Sequence, residues 1–487
     1  MSRAVVAVVL AASLIARAAP LEGEVHRVEL ANGMVWLIVE RHDAPVFTGF
    51  VRVRVGGADE VAGATGLAHL FEHMAFKGTP RLGAKDWARE QALIPELQAA
   101  GDALATLRKQ GKGASKEAVD LKTRFDALLA EHKTLFDENA LPRLYQLNGA
   151  VGLNATTNKD LTSYFVSLPK NRLQLWLDVE AQRFAAPVLR DFYTERAVVQ
   201  EERLRSIETA PAGLVFEELM HVAFVQSPYR WPTVGYAGDL ATMTMADAQA
   251  FFETHYVASN AVGCVVGDVS VAELEPLLQK TFGALPTRPR PAEPRWTEAP
   301  QRGLRRSQVT FDASPRLSMA FHKPAPPSRD DAVFDVIREL LVDGTQSRLQ
   351  QALVYRERLA QGVGVSNSPG SRFDNLMVVS VTPLAGVTTE AVEAAVWREL
   401  ERLGKEPVSE AELDKVRRRV TTDLLRAIDS NAGVADALSR AQTLYGDWRY
   451  PLTLPSVIEG ITAADVQRVA AQAFVKQNAS VVTLVRP

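Results

Sequence analysis

Residues 243–261 read MTMADAQAFFETHYVASNA, and 218 positions later residues 461–479 read ITAADVQRVAAQAFVKQNA. Seven residues coincide in register: Thr244, Ala246, Asp247, Gln249, Val257, Asn260 and Ala261 recur as Thr462, Ala464, Asp465, Gln467, Val475, Asn478 and Ala479. In each copy a Thr with an Asp three residues on makes a helix cap. An unbroken apolar run follows the helix, AVGCVVGDV in the first copy and ASVVTLVRP in the second. A Thr-capped helix alone is common, but seven identities at one offset indicate a duplicated unit. Helices mixed with strands in both copies predict an α+β fold of two homologous domains, each an antiparallel-rich sheet packed with helices. The proline-dense segment LPTRPRPAEPRWTEAP at residues 285–300 reads as a stiff, extended linker between them. The expected organisation is a leader at 1–18, an N-terminal domain at 19–284, a linker at 285–305 and a C-terminal domain at 306–487. A length of 487 residues, too great for one ordinary core, agrees with two domains.

At the N-terminus, MSRAVVAVVLAASLIARA has an early Arg3, an apolar run and small residues at Ala16 and Ala18, the pattern of a secretory signal peptide cleaved near Ala19. No later stretch is apolar for long enough to span a membrane, so a periplasmic or secreted protein of a Gram-negative bacterium is expected. With 47% hydrophobic and 23% charged residues the composition is globular, and a formal charge of −3 offers no basic field, which argues against nucleic acid as a partner. The single cysteine, Cys264, lies in an apolar strand-like run, so no intrachain disulfide can form and the thiol is expected to pack in a core.

The first half carries the chemistry. Alternating residues at 35–39 and 50–55 predict strands, and a helix is predicted from Thr65 to Phe76, ended by Gly78 and Pro80. Within it lies His69-Leu70-Phe71-Glu72-His73. Histidines four apart share a helix face, so His69 and His73 can reach one Zn²⁺. Glu72, three residues after His69, faces the same side, where a carboxylate can take the proton of a zinc-activated water. The plain alternative is two surface histidines beside a salt-bridging glutamate. Catalytic zinc keeps three protein ligands, so a further one must come from another element. Glu195, Glu201 and Glu202 in YTERAVVQEERL are the candidates. Glu195 and Glu202, seven apart, share a helix face, while Glu201 is rotated away. Between motif and candidates, residues 87–145 read as a solvated, charge-laced helical hairpin broken at GKGAS. VGLNATTNKDLTSYFVSL at 151–168 then reads as a β-hairpin, and residues 173–207 as one long helical stretch. The histidines at 26, 42, 132, 221, 255 and 322 lack ligand spacing.

The motif HLFEH, its flanks GLAHLFEHMAFKGT, the hairpin LNATTNKDLTSYF, the segment ERAVVQEE and the duplicated halves together resemble the inverzincin peptidases of the pitrilysin, insulinase and mitochondrial processing peptidase family, most closely its short-chain bacterial members. The resemblance implies a zinc-dependent endopeptidase acting on peptides or unfolded polypeptides. It implies one zinc per chain held by His69, His73 and Glu202, with Glu72 as general base and Glu195 supporting the site. It also implies that Asn154, Ala155 and Thr156 form a strand on which substrate pairs. The hairpin at 87–145 is an insertion relative to the family's commonest pattern.

The resemblance further implies an arginine and, seven residues on, a tyrosine in the second half. Aligning GTQSRLQQALVYRERLAQGVGVS with that segment puts Val354 and Gln361 in their places. Asp335, Arg338 and Glu339 stand where a second zinc motif would fall, so no second metal site is expected. A heterodimer with a homologous subunit that lacks the zinc motif but supplies the Arg and Tyr follows, with a homodimer as the alternative. Two other functions compete: a non-catalytic scaffold or binding subunit, and a zinc-binding protein of the cell envelope with no use for Glu72.

Overall fold

The computed structural model describes residues 21–487, so the expected leader lies outside the described residues. Two sheets organise them. The first has six strands: β1 (Val25–Glu29), β2 (Val35–Glu40), β3 (Val46–Val53), β4 (Val151–Thr157), β5 (Thr162–Pro169) and β6 (Ala261–Gly267), in the order β1-β2-β6-β3-β5-β4. The second has β7 (Arg305–Thr310), β8 (Arg316–Lys323), β9 (Ala360–Ser368), β10 (Asn375–Pro383) and β11 (Ala479–Val485), in the order β7-β11-β8-β10-β9. Without β1 the first sheet has the same plan as the second. β2 runs parallel to β6 as β7 does to β11, and all other pairs are antiparallel. The two capped helices of the sequence repeat, Met245–His255 and Ala463–Ala473, each close a reciprocal Thr–Asp cap and lead into the matching strands β6 and β11.

Each sheet buries one face under its own helices and the other under a helix of the opposite half. Helix Pro211–Ala223 lays Val215, Leu219, Met220 and Ala223 against Ala320, Leu376, Val378, Val482 and Leu484 of the second sheet. In return, helix Asn431–Tyr445 lays Val434, Ala435 and Leu438 against Leu37, Val39, Phe50, Cys264 and Val266 of the first. Strands buried on both faces read as continuous apolar runs, which explains AVGCVVG and the buried thiol. Polar latches back this exchange. Arg372, on the loop between β9 and β10, makes a two-pronged bond to Asp59 at 2.7 and 3.2 Å, and Asp160 accepts from Ser371 N at 2.5 Å and Tyr229 Oη at 2.6 Å.

Two local expectations change. The stretch at 173–207 is two α-helices, Leu173–Ala185 and Phe192–Arg203, because Pro187 lies in the break and Asp191 adopts a left-handed φ of 56°. The hairpin is three helices, Trp87–Lys109, Lys116–Thr134 and Ala140–Leu147. It is not merely solvated either, since Leu97, Leu104, Phe125 and Leu141 join the main core of the first half. From Pro286 to Leu304 the chain has no helix or strand, and β7 begins at Arg305.

Candidate metal centre

Helix Leu67–Met74 starts at Gly66, whose φ of +94° and crowding by Val234 O exclude a side chain. With no capping side chain of its own, the helix borrows one. Glu60 accepts from Gly66 N at 2.9 Å and Ala68 N at 2.8 Å, and burial pushes its carboxyl up to about 8. Leu67, Leu70, Phe71 and Met74 anchor the buried face. That leaves His69, Glu72 and His73 on the other side, all half-buried.

Helix Phe192–Arg203 runs past this face. Glu202 Oε2 lies 3.6 Å from His69 Nε2 and 3.8 Å from His73 Nε2, and one donor atom from each of the three residues falls within 4.8 Å of the others. Ligands at 2.0–2.1 Å from a tetrahedral zinc are about 3.3 Å apart, so this donor set fits the ion with little adjustment. Among the described residues it is the only such group. Glu195, on the same face of the helix, accepts from His73 Nδ1 at 3.1 Å and meets Lys77 Nζ at 2.6 Å. An Nδ1–H engaged in this way turns Nε2 toward Glu202. Glu201 is exposed, in keeping with its rotation off that face.

The charges are tuned by these neighbours. Burial pushes Glu72 upward, with Thr157 and His73 pulling the other way. Burial lowers His69, while in His73 burial is outweighed by Glu195, Glu72 and Glu202, so that its pKa is raised. Hydrogen bonds from His73 and Lys77 hold Glu195 at about 2 against burial. The site thus pairs an orienting carboxylate whose proton affinity is lowered with a carboxyl whose proton affinity is increased.

Asn154, Ala155 and Thr156 lie on β4, the outer strand of the first sheet, which packs beside helix Leu67–Met74. Asn154 and Thr156 are exposed, Ala155 is buried, and Asn154 Oδ1 accepts from Ala155 N at 2.9 Å. Val354 packs against the core of the second half and Gln361 is exposed on β9. Sequence reasoning missed Lys77, Thr157 and Glu60. Lys77 lies past the end of the helix, in its exit loop, so helical phase could not place its ammonium on Glu195. Nor was Glu60 legible, because its partners depend on how the loop before the helix folds back.

Duplicated α+β halves with one His-His-Glu centre are the layout of an inverzincin-type peptidase scaffold. Residues 133–235 match the family model for Insulinase (Peptidase family M16), and residues 242–420 match that for the Peptidase M16 inactive domain. The chain belongs to this family, peptidase M16. Among its relatives, zinc protease PqqE of Helicobacter pylori is 26% identical over 418 residues, covering 84% of this chain and 81% of that protein. The beta subunit of the mitochondrial-processing peptidase of Blastocladiella emersonii is 24% identical, covering 68% and 72%. A crystal structure of a protease from Helicobacter pylori superposes with a TM-score of 0.80 at 24% identity, covering 95% of this chain and 99% of that one. The periplasmic protease PqqL of Escherichia coli superposes at 0.68 and 18% identity, covering 95% of this chain and 47% of that one.

Proposed function

We propose that this protein is a zinc-dependent endopeptidase for peptides or unfolded polypeptides, with His69, His73 and Glu202 as the ligands of one zinc ion and Glu72 as the general base. The observation that carries this is the convergence of those three donors within 4.8 Å, with Glu72 on the same helix face. Zinc bound there supplies a lowered pKa for water and polarisation of the scissile carbonyl. Glu72 takes the proton of the attacking water and hands it to the departing amine nitrogen, a task that its raised pKa suits. Glu195 holds His73 in the tautomer that leaves Nε2 free to ligate. Substrate is taken as an added strand along Asn154, Ala155 and Thr156, through backbone pairing that tolerates many sequences.

Among the described residues the second half brings together no group of metal donors. Val354 and Gln361 stand where the resemblance implies an Arg and a Tyr, so it lacks the charged and phenolic donors expected to stabilise a developing oxyanion. The proposal therefore includes a homologous partner chain without the zinc motif that supplies an Arg and a Tyr. In support, this chain corresponds to about half of PqqL. Location in the periplasm is supported by the leader sequence and by the periplasmic PqqL, and among the described residues no helix is long and apolar enough to cross a membrane. The test is mass analysis of a mixed peptide pool incubated with the zinc-loaded protein, alone and with its homologous chain. Cleavage that stops on chelation and returns with zinc is expected. A pool left intact under every condition would favour the non-catalytic scaffold, and full cleavage by the single chain would remove the partner.

A further inference from the structure

Arg190 lies two residues before helix Phe192–Arg203 and is fully buried. All five of its N–H donors are used. Nε and Nη2 bond the two carboxylate oxygens of Glu90 at 2.6 and 3.0 Å. Nη1 bonds Lys77 O at 2.9 Å and Leu82 O at 2.8 Å, and Nη2 also bonds Thr79 O at 3.0 Å. Those three carbonyls belong to the loop that leaves the helix of His69 and His73. The loop is shaped around the guanidinium: a Cβ at Gly78 or Gly83 would come within 2.8 or 2.9 Å of Nη1, and both glycines have positive φ. Lys77 is engaged twice, its carbonyl on Arg190 and its ammonium on Glu195, the carboxylate that orients His73.

The counterion comes from the insertion. Glu90 sits in the first turn of helix Trp87–Lys109 with no exposed surface, and the buried His132 of helix Lys116–Thr134 brings Nε2 to 3.5 Å from its carboxylate. The same two helices enclose Tyr193 of the Glu202 helix, whose ring meets Phe125 at 4.8 Å. A guanidinium buried without an anion is strongly disfavoured, so the bonds of Arg190 to the loop depend on Glu90 being there. Its rigid planar fork fixes direction as well as distance, which a lysine would not.

Building on the metal centre proposed above, we infer that Arg190 and Glu90 are a positioning pair that sets the spacing between the helix of His69 and His73 and the helix of Glu202, and that the helical insertion serves the metal centre by supplying Glu90. Glu90→Gln keeps the shape and removes the charge. Asp331→Asn, which breaks the buried Lys323–Asp331 pair of the second half, is the control for stability alone. Zinc affinity is measured by chelator competition, alongside thermal unfolding of both metal-free variants. The expected result is a loss of zinc affinity of about 10–100-fold in E90Q, with none in D331N although both unfold at lower temperature. Wild-type affinity in E90Q, or equal losses in the two variants, would overturn the positioning role. A wild-type protein that binds no zinc would instead remove the metal centre itself. Hydrogen exchange of the wild-type chain decides the matter even if E90Q does not fold. Zinc should slow exchange in residues 77–83 and around Glu90 as well as at the ligands, and protection confined to the ligand helices counts against the pair.

Discussion

Helix Leu67–Met74 in the first half and helix Arg329–Val342 in the second occupy the same place in the duplicated plan, each following the strand that pairs with both β6 and β5 or with both β11 and β10. Their polar residues are treated differently. On the second helix each acid has its own partner: Asp330 with Arg468, Asp331 with Lys323, Asp335 accepting from Asn367 Nδ2 at 2.7 Å, and Glu339 with Arg338. In the first half His69, His73 and Glu202 converge on one another, with donor atoms within 4.8 Å, so that a single cation among them would engage all three. One scaffold thus holds a self-neutralised cluster and a convergent one, and only the convergent set suits a metal.

The sharpest way to break this contrast is at the proposed ligands. His73→Ala should lose both zinc and hydrolysis, read by metal content and peptide cleavage. Glu72→Gln should bind zinc as before while turnover falls about 10²–10⁴-fold, since only the base is removed. Activity retained in that variant would end the mechanism. Glu202→Gln should weaken zinc binding far more than Glu201→Gln in a chelator titration, and equal weakening would show that the helix phase assigned to Glu202 is wrong.

Between the halves, Arg372→Ala leaves Asp59 buried without its partner and should cost about 3–5 kcal/mol of stability in denaturant unfolding. The smallest effect belongs to the second cluster. Burial and Asp331 push Asp335 up to about 6 from 3.8. A carboxyl raised on folding adds stability below its unfolded pKa and loses it as pH rises through the folded value. Asp335→Asn should therefore gain on wild type between about pH 4 and 6, by a few degrees of Tm, with zinc binding unchanged. A flat difference across that window would show that Asp335 does not titrate there.

The sequence alone determined what lies within one helix or one repeat. His69 and His73 share a face because 3.6 residues make a turn, Glu195 and Glu202 share one for the same reason, and the capped helix leading into an apolar strand recurs as Met245–His255 and Ala463–Ala473. Even where the stretch at 173–207 proved to be broken, both glutamates fell within one helix, so the phase argument survived the error. Only the tertiary structure decided which helix covers which sheet, that Glu60 caps the zinc-motif helix, and that Arg190 ties that helix's exit loop to Glu90. Partners 100 or more positions apart, as Arg190 is from Glu90, leave no periodic trace, because their meeting depends on how whole elements pack. The same holds for the hairpin, whose charged surface masked a buried seam of Leu97, Leu104 and Phe125 that is visible only against the core it joins.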